Sequence, residues 1–307
     1  MQPPTKAIPP VRDRLQSRLL VLGMLPVICW TDVLAIHYAF TAGHRGHVYL
    51  TLSIAISVFF GLFAWRLKAA TPGASILGAM ICMAITVLSG RPEGPSPFHS
   101  GLAPLILLFV LIHEATRLGH DRKKSIDIEE ARSGRNAAQI IANLGIAAVP
   151  NAFHMSMFGI GLHHGLLWSY ILATFSVPML AVLGEATADT VSSEIGKAFG
   201  GTPVMLTNFR PILTGTDGAI SLIGTCAGIA GAAVVVLIGI PALGMDMGGC
   251  AIAFVAAIAG LLFDSLLGAT IERKGWIGND LVNFFSTAFA GILALAMQIA
   301  MGQFNIA

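Results

Sequence analysis

Nine apolar runs, each about 20 residues long and bounded by charged or turn-forming residues, restrict what this chain can fold into. An α-helix of that length spans the hydrocarbon core of a bilayer. Only 11% of the residues are charged, against about 25% in soluble proteins, so a soluble fold of this size could not bury the apolar surface. The sequence therefore predicts an all-α, polytopic transmembrane bundle. The nine predicted spans are residues 18–40, 47–65, 72–90, 100–118, 137–156, 164–184, 219–242, 248–268 and 282–302.

The distribution of Lys and Arg between the connecting segments predicts the orientation of the bundle. If the N-terminus is cytoplasmic, all 18 Lys and Arg residues except Arg45 and Arg91 fall on the cytoplasmic side. Cytoplasmic loops of membrane proteins carry such an excess. We therefore expect a cytoplasmic N-terminus and a C-terminus on the outer side. The start of the sequence does not read as a cleavable targeting segment, which favours a bacterial inner (cytoplasmic) membrane.

Three regions follow from this arrangement: a four-span region at 1–120, a cytoplasmic charged loop at 121–135, and a five-span region at 136–307. The loop is interpreted as a solvated surface. The net charge of +2 argues against a nucleic-acid partner, because phosphate neutralisation needs a concentrated basic patch. The 4 cysteines lie in apolar runs without a CxxC pair, so neither a zinc site nor a disulfide framework is predicted.

The carboxylates that we assign to a site lie at the ends of the sixth and eighth predicted spans. Glu185 and Asp189 stand four residues apart at the end of the sixth span and share one helix face. Asp264 lies about one turn inside the end of the eighth span. Stacked carboxylates repel each other unless a cation lies between them, and a hard ion such as Mg²⁺ suits oxygen ligands. We predict that these three residues hold Mg²⁺ and are catalytic. Pairing of Asp264 with a nearby Lys or Arg is the structural alternative.

The turns before the seventh and ninth spans add polar residues at the same predicted surface. Thr216 and Asp217 precede the seventh span, and Asn279 and Asp280 precede the ninth. Helix capping explains such residues, but the free N–H groups of both helix starts also favour anions. We expect a phosphate-binding pocket at this surface. Its other predicted members are Asn143, Glu194, Lys197, Arg210, Ser221 and Asn283.

Four segments occur in an order that is typical of one membrane family. They read ADTVSSEIG at 188–196, GTDGAIS at 215–221, DSLLGAT at 264–270 and NDLVN at 279–283; the stretch RNAAQIIAN at 135–143 matches as well. Together they resemble the integral-membrane family that contains the plant and cyanobacterial phytyl-phosphate kinases. The resemblance covers roughly residues 130–290, and the chain before it is similar only in being hydrophobic.

This resemblance implies a lipid kinase of tocopherol biosynthesis. Such an enzyme transfers a phosphoryl group from a nucleoside triphosphate to a prenyl or phytyl monophosphate and yields the diphosphate. The neighbouring phytol kinases use CTP, which makes CTP a candidate donor. Nucleotide and lipid headgroup would meet at the cytoplasmic membrane surface, with Mg²⁺ between phosphates and carboxylates. The sequence leaves a homo-oligomer open.

Three other classes of protein fit a polytopic chain with acids in its spans. An ion-coupled transporter uses buried acids, but places them near the bilayer midplane, whereas the predicted acids gather at one face. A cytidylyltransferase that acts on a lipid phosphate would release pyrophosphate rather than a nucleoside diphosphate. A non-catalytic membrane component is the remaining class.

Overall fold

The computed structural model describes residues 8–90, 96–119, 123, 134–158 and 166–302, so most of the predicted charged loop at 121–135 lies outside the described residues. The helices are α1 (Pro10–Thr41), α2 (Gly43–Arg66), α3 (Pro72–Ser89), α4 (Leu102–Arg117), α5 (Ala137–Leu144), α6 (Val149–Phe158), α7 (Leu166–Phe199), α8 (Leu222–Leu237), α9 (Gly239–Leu243), α10 (Met247–Thr270) and α11 (Asn279–Ala300). Two 3₁₀ turns, Gly145–Ala148 and Glu272–Lys274, accompany them, together with an antiparallel pair of strands, β1 (Val204–Met205) and β2 (Ala219–Ile220).

Six helical segments in the described part of the chain are long and apolar enough to cross a bilayer: α1, α2, α3, α8 with α9, α10 with the following 3₁₀ turn, and α11. Large apolar side chains on their surfaces, such as Phe59, Leu222 and Ile292, are 68%, 81% and 68% exposed. Exposed apolar surface on this scale is suited to lipid rather than water. The predicted all-α membrane architecture is confirmed. Nine is an approximate span count, because α4 has only 16 residues and the fifth span is broken.

The fifth predicted span is two short helices rather than one. α5 ends at Leu144, a 3₁₀ turn covers Gly145–Ala148, and α6 begins at Val149. Pro150 has no N–H, and its ring crowds the carbonyl four residues earlier, so a regular α-helix does not continue through this stretch. The chain therefore changes helix type inside a span, which the apolar run alone does not reveal.

α7 is the central helix of the bundle and packs against α4, α8, α10 and α11. Its closest neighbour is α8, whose Gly224, Gly228 and Gly231 face it. A Cβ placed on Gly228 would lie 2.5 Å from the carbonyl oxygen of Ala188, and one on Gly224 would lie 2.5 Å from that of Ser192. The two backbones are therefore in direct contact, as in other membrane helix pairs with small residues at their interface.

The start of α1 packs against the start of α11. The side chain of Gln16 accepts a hydrogen bond from the Gly278 N–H at 2.9 Å and donates one to the Trp276 carbonyl at 2.9 Å. The Ser17 hydroxyl donates to the Asp280 carboxylate at 2.6 Å. These contacts join segments that are far apart in sequence: Ser17 and Asp280 are 263 residues apart.

Replacing Gly228 by Ala is expected to destabilise the bundle, because the new methyl group would overlap the Ala188 carbonyl and push α8 away from α7. Overpacking of this kind costs about 1–3 kcal/mol. Gly23→Ala is the matched control, since a Cβ there meets nothing within 4 Å and Ala favours a helix. Thermal unfolding in detergent should show a lower midpoint for Gly228→Ala alone. An unchanged midpoint would contradict the tight contact between α7 and α8.

Candidate functional site

A cavity of about 690 Å³ opens at one end of the bundle, which we call the cavity end. Its walls come from the last turns of α2, α4, α7 and α10 and from the first turns of α3, α5, α8 and α11. This alternation agrees with the predicted order of spans, in which successive helices run in opposite directions. Most of the predicted site residues line the cavity: Asn143, Asp189, Glu194, Lys197, Thr216, Asp217, Ser221, Asp264, Asn279 and Asn283.

Asp189 on α7 and Asp264 on α10 form a pair of carboxylates in this cavity. The two side chains are close enough to interact with each other. Asp264 Oδ1 has no hydrogen-bond partner among the described residues. Carboxylates this close repel each other unless a proton or a cation lies between them. The pair is therefore the part of the site best suited to hold a cation.

Glu185 lies one turn deeper on α7 and is absent from the cavity lining that the described residues form. It is 1% exposed and rests against Gly260, where a Cβ would lie 2.6 Å from Glu185 Cγ. The hydroxyl of Ser286 on α11 interacts with both Glu185 and Asp264. Glu185 is thus a buried neighbour of the carboxylate pair, linked to it through Ser286, a residue that sequence reasoning did not assign to the site.

The described residues contain no group of three or more His, Cys, Asp or Glu side chains arranged to hold a metal ion. The three predicted ligands therefore do not form a closed carboxylate cage. Asp189 and Asp264 alone still fit Mg²⁺, because proteins commonly bind this ion through one or two carboxylates while water and substrate phosphates supply the other ligands. The unpartnered oxygen of Asp264 is available for such a bond.

Two cations accompany the carboxylate pair. Arg135 and Lys197 both line the cavity, and both interact electrostatically with Asp189. Arg135 also donates a hydrogen bond to Thr190 Oγ1 at 3.4 Å. The cavity end therefore offers guanidinium and ammonium donors beside two carboxylates, a combination that suits a phosphate group with an accompanying metal ion.

Arg135 is a candidate that sequence reasoning placed in a matching motif but not in the site. Its backbone is fixed by the turn between α2 and α3: its N–H donates to Ala69 O and its carbonyl accepts from Thr71 N, both at 2.9 Å. The preceding Gly134 has φ +77°, and a Cβ there would lie 2.4 Å from Lys68 O. The close approach of these two chain segments holds Arg135 at the cavity wall. The charge pattern of the loop gives no sign of this position.

Glu194 lines the cavity but forms a buried ion pair. Its carboxylate lies 2.6 Å from Lys123 Nζ and 3.6 Å from Lys197 Nζ. Lys123 is 6% exposed and also donates to the carbonyls of Ala115 and Thr116 at 3.2 and 2.7 Å, at the end of α4. The pair therefore ties α4 to α7. Lys123 belongs to the loop that was predicted to be solvated, and its burial corrects that prediction for this residue.

Two predicted phosphate-binding residues lie away from the carboxylate pair. Arg210 is exposed in the turn between β1 and β2, outside the lining that the described residues provide. Its backbone N–H donates to the Asn208 side chain at 3.0 Å. Asp280 accepts the hydrogen bond from Ser17 and lines a second cavity of about 910 Å³ instead. The structure therefore does not bring Arg210 or Asp280 to the predicted site.

The second cavity shares part of its wall with the first. The residues that line both are Gln139, Asp217, Glu272 and Asn279. Asp217 is exposed as a whole, yet partial desolvation of its carboxyl raises its pKa above the ordinary value, while Arg273 and Lys197 nearby oppose this rise. The wall that the two cavities share therefore lies near Lys197, which lines the first cavity.

Helix capping accounts for some of the predicted turn residues and not for others. Ser221 caps α8, since its hydroxyl accepts a hydrogen bond from the Gly224 N–H at 3.2 Å. The Thr216 hydroxyl donates to Leu213 O at 2.8 Å within its own turn. The N-cap of α11 is Gly278, which has no side chain to cap with, and Asn279 is the first helical residue. Asn279 and Asn283 therefore remain on the cavity wall.

Residues 55–291 match the family model described as "Integral membrane protein DUF92". The chain belongs to this family. An uncharacterized membrane protein of Methanocaldococcus jannaschii is 33% identical over 207 residues, which cover 66% of this chain and 80% of that protein. "Protein VTE6, chloroplastic" of Arabidopsis thaliana is 28% identical over 229 residues, 74% of this chain and 66% of its own length. "Protein PGR" of the same plant is 27% identical over 249 residues, 74% of this chain and 80% of its own length.

The family membership predicted from the ordered motifs is confirmed. In this DUF92 member, the motifs at 188–196, 215–221, 264–270 and 279–283 all contribute residues to the cavity wall. No solved structure shows significant similarity to the chain.

Replacing Lys123 by Met is expected to destabilise the protein by about 3–5 kcal/mol, because the buried Glu194 would lose its closest charge partner. Lys274→Met is the control, since Lys274 is exposed. The double variant Lys123→Met/Glu194→Gln should recover part of the loss. Thermal unfolding of the three proteins in detergent measures this. A Lys123→Met protein as stable as wild type would show that the ion pair does not hold α4 against α7.

Proposed function

We propose that this DUF92 member is a membrane-embedded kinase that transfers a phosphoryl group from a nucleoside triphosphate to a prenyl or phytyl monophosphate, with CTP as the candidate donor. The observation that carries the proposal is the pair Asp189 and Asp264 beside Arg135 and Lys197, in a cavity whose lining also includes many apolar side chains. The motif resemblance to phytyl-phosphate kinases supports the same reaction class.

The proposed reaction joins two phosphates. An oxygen of the acceptor monophosphate attacks the γ-phosphorus of the donor, and a new P–O–P link forms. The bond between the γ-phosphorus and the β–γ bridging oxygen breaks, and the nucleoside diphosphate leaves with that oxygen. A phosphate monoester is largely ionised at neutral pH, so no protein base is required. The reaction then depends on positioning and charge neutralisation.

Each group at the cavity end has a role in this scheme. Arg135 is suited to hold the acceptor phosphate, because a guanidinium can donate two parallel hydrogen bonds to it. Lys197 adds a second positive charge. Asp189 and Asp264 would hold Mg²⁺, which neutralises phosphate charge when it is bound. Glu185 lies outside the cavity lining that the described residues form, interacts electrostatically with both members of the pair and shares Ser286 with Asp264, and we assign it a positioning role.

We further propose that the cavity end faces the cytoplasm of a cell with this protein in its inner membrane. The predicted excess of Lys and Arg on that side supports this orientation. Nucleoside triphosphates are cytoplasmic, and the second cavity offers a polar path toward the carboxylate pair, since the two cavities share part of their wall. The lipid acceptor would approach from the bilayer.

Replacing Asp189 or Asp264 by Asn is expected to lower kcat by at least about 10²-fold, since each variant removes a charge that would hold the metal ion at the transferring phosphate. Asp246→Asn is the matched control. Asp246 caps the start of α10, outside the cavity lining that the described residues form, and Asn caps a helix equally well. The assay uses purified protein in detergent micelles with phytyl monophosphate and Mg²⁺. Each γ-labelled nucleotide is added in turn, and the label that appears in the lipid is measured.

Label in a lipid diphosphate from wild type and from Asp246→Asn, with little from the two cavity variants, would support the kinase. Wild-type turnover in both cavity variants would overturn the assignment. A parallel assay with α-labelled nucleotide tests the alternative: transfer of that label to the lipid, with release of pyrophosphate, would identify a cytidylyltransferase instead.

A second comparison tests Arg135, which lines the cavity, against Arg210, which lies outside the lining that the described residues form. Arg135→Ala should raise KM for the lipid phosphate about 10- to 100-fold, because a charge-assisted hydrogen bond to the phosphate contributes about 1.5–3 kcal/mol. Arg210→Ala should leave KM and kcat unchanged, since Arg210 is exposed outside the lining. The reverse result would return Arg210 to the site and remove Arg135 from it.

A further inference from the structure

The cavity does not end at the charged residues. It continues into an apolar arm between α2, α3 and α4, which is lined by Phe60, Ala64, Gly78, Leu105, Leu108 and Phe109. One continuous space therefore has a charged end, at Arg135 and Lys197, and an end lined by aliphatic and aromatic side chains. An elongated amphiphile with one anionic group matches this distribution of polarity better than a fully polar ligand does.

Aromatic rings close the arm between α2 and α4. The rings of Phe60 and Phe109 meet edge to face with centroids 5.1 Å apart, and Phe63 lies 6.3 Å from Phe109. Phe63 is 44% exposed, so this contact reaches the outer surface of the bundle. α2 packs on α1 and α3, whereas α4 packs mainly on α7. The contact between the Phe60 and Phe109 rings therefore lies where two groups of helices meet.

Gly78 on α3 keeps the arm open. A Cβ at this position meets nothing within 4 Å although the residue lines the cavity. Gly61 on α2 differs, since a Cβ there would lie 2.8 Å from the Ser75 carbonyl oxygen. Gly61 thus serves the packing of α2 against α3, and Gly78 leaves free volume beside it. A side chain at position 78 would therefore begin in open space on the cavity wall.

We propose that this arm holds the hydrocarbon chain of a phosphorylated lipid, which enters from the membrane between α2 and α4 and brings its phosphate to Arg135 and Lys197. The identity of the headgroup rests on the proposed function; the place of the chain rests on the shape and polarity of the cavity. The volume of about 690 Å³ lies within the range of about 300–1,000 Å³ that is usual for small-molecule sites. In this proposal the four-span region supplies selectivity for the chain, and the five-span region supplies the chemistry.

Gly78→Leu tests the proposal through chain-length dependence. KM for geranylgeranyl monophosphate should rise at least tenfold, because the new side chain occupies the space of the lipid chain. KM for dimethylallyl monophosphate, whose short chain need not enter the arm, should stay unchanged. Gly23→Leu is the control, because a Cβ at Gly23 also meets nothing within 4 Å and the residue is absent from the cavity lining formed by the described residues. Equal effects on both acceptors, or none on either, would overturn the proposal.

A second measurement on the wild-type protein does not depend on turnover or on the folding of a variant. A prenyl monophosphate with a diazirine near its chain end is irradiated with the full-length protein in phospholipid nanodiscs, and the labelled peptides are identified by mass spectrometry. Labelling inside α2, α3 and α4, suppressed by excess geranylgeranyl monophosphate, is the expected result. Labelling only on other helices, or labelling that is not suppressed, would overturn the proposal.

The two proposals can fail separately. Arm labelling without phosphoryl transfer from any nucleotide would reject the kinase and keep the lipid site. Phosphoryl transfer with chain-end labelling elsewhere would keep the kinase and reject the arm.

Discussion

The direct backbone contact between α7 and α8 is the constraint on which the rest of the structure depends. Lipid tails solvate apolar helices well, so helices in a bilayer gain little by hydrophobic burial against each other and rely on close packing and polar contacts. The glycines of α8 provide that packing along the segment of α7 that carries Asp189. α4, α10 and α11 then pack on α7, so that α7 connects the two members of the carboxylate pair, Lys197 and the α4 wall of the apolar arm.

Local sequence patterns predicted the features that depend on local physics. Long apolar runs indicated the helices, since the thickness of a bilayer sets their length. Asp189 and Asp264 stood out because an acid near the end of an apolar run is costly and demands a reason. Both predictions needed only the chain within a few turns of each residue, and the structure brings these two acids together although they lie on different helices.

Features that depend on the meeting of distant segments were not predictable in this way. Glu185 shares a helix face with Asp189, but the approach of Gly260 buries it below the cavity. Lys123 and Arg135 look alike in a charged stretch, yet one is buried against Glu194 and the other is held at the cavity by the turn between α2 and α3. Arg210 follows Phe209, whose φ of +53° marks a sharp turn. Arg210 is exposed at this turn rather than part of the cavity wall.

The hydrogen bonds between the start of α1 and the start of α11 have a consequence for how the protein is made. Gln16 and Ser17 leave the ribosome more than 250 residues before Gly278 and Asp280. Gln16 and Ser17 therefore lack their hydrogen-bond partners until the start of α11 has been made. The cavity end can therefore be completed only after α11 has been inserted, and a chain that stops before α11 would leave α1 without these hydrogen-bond partners.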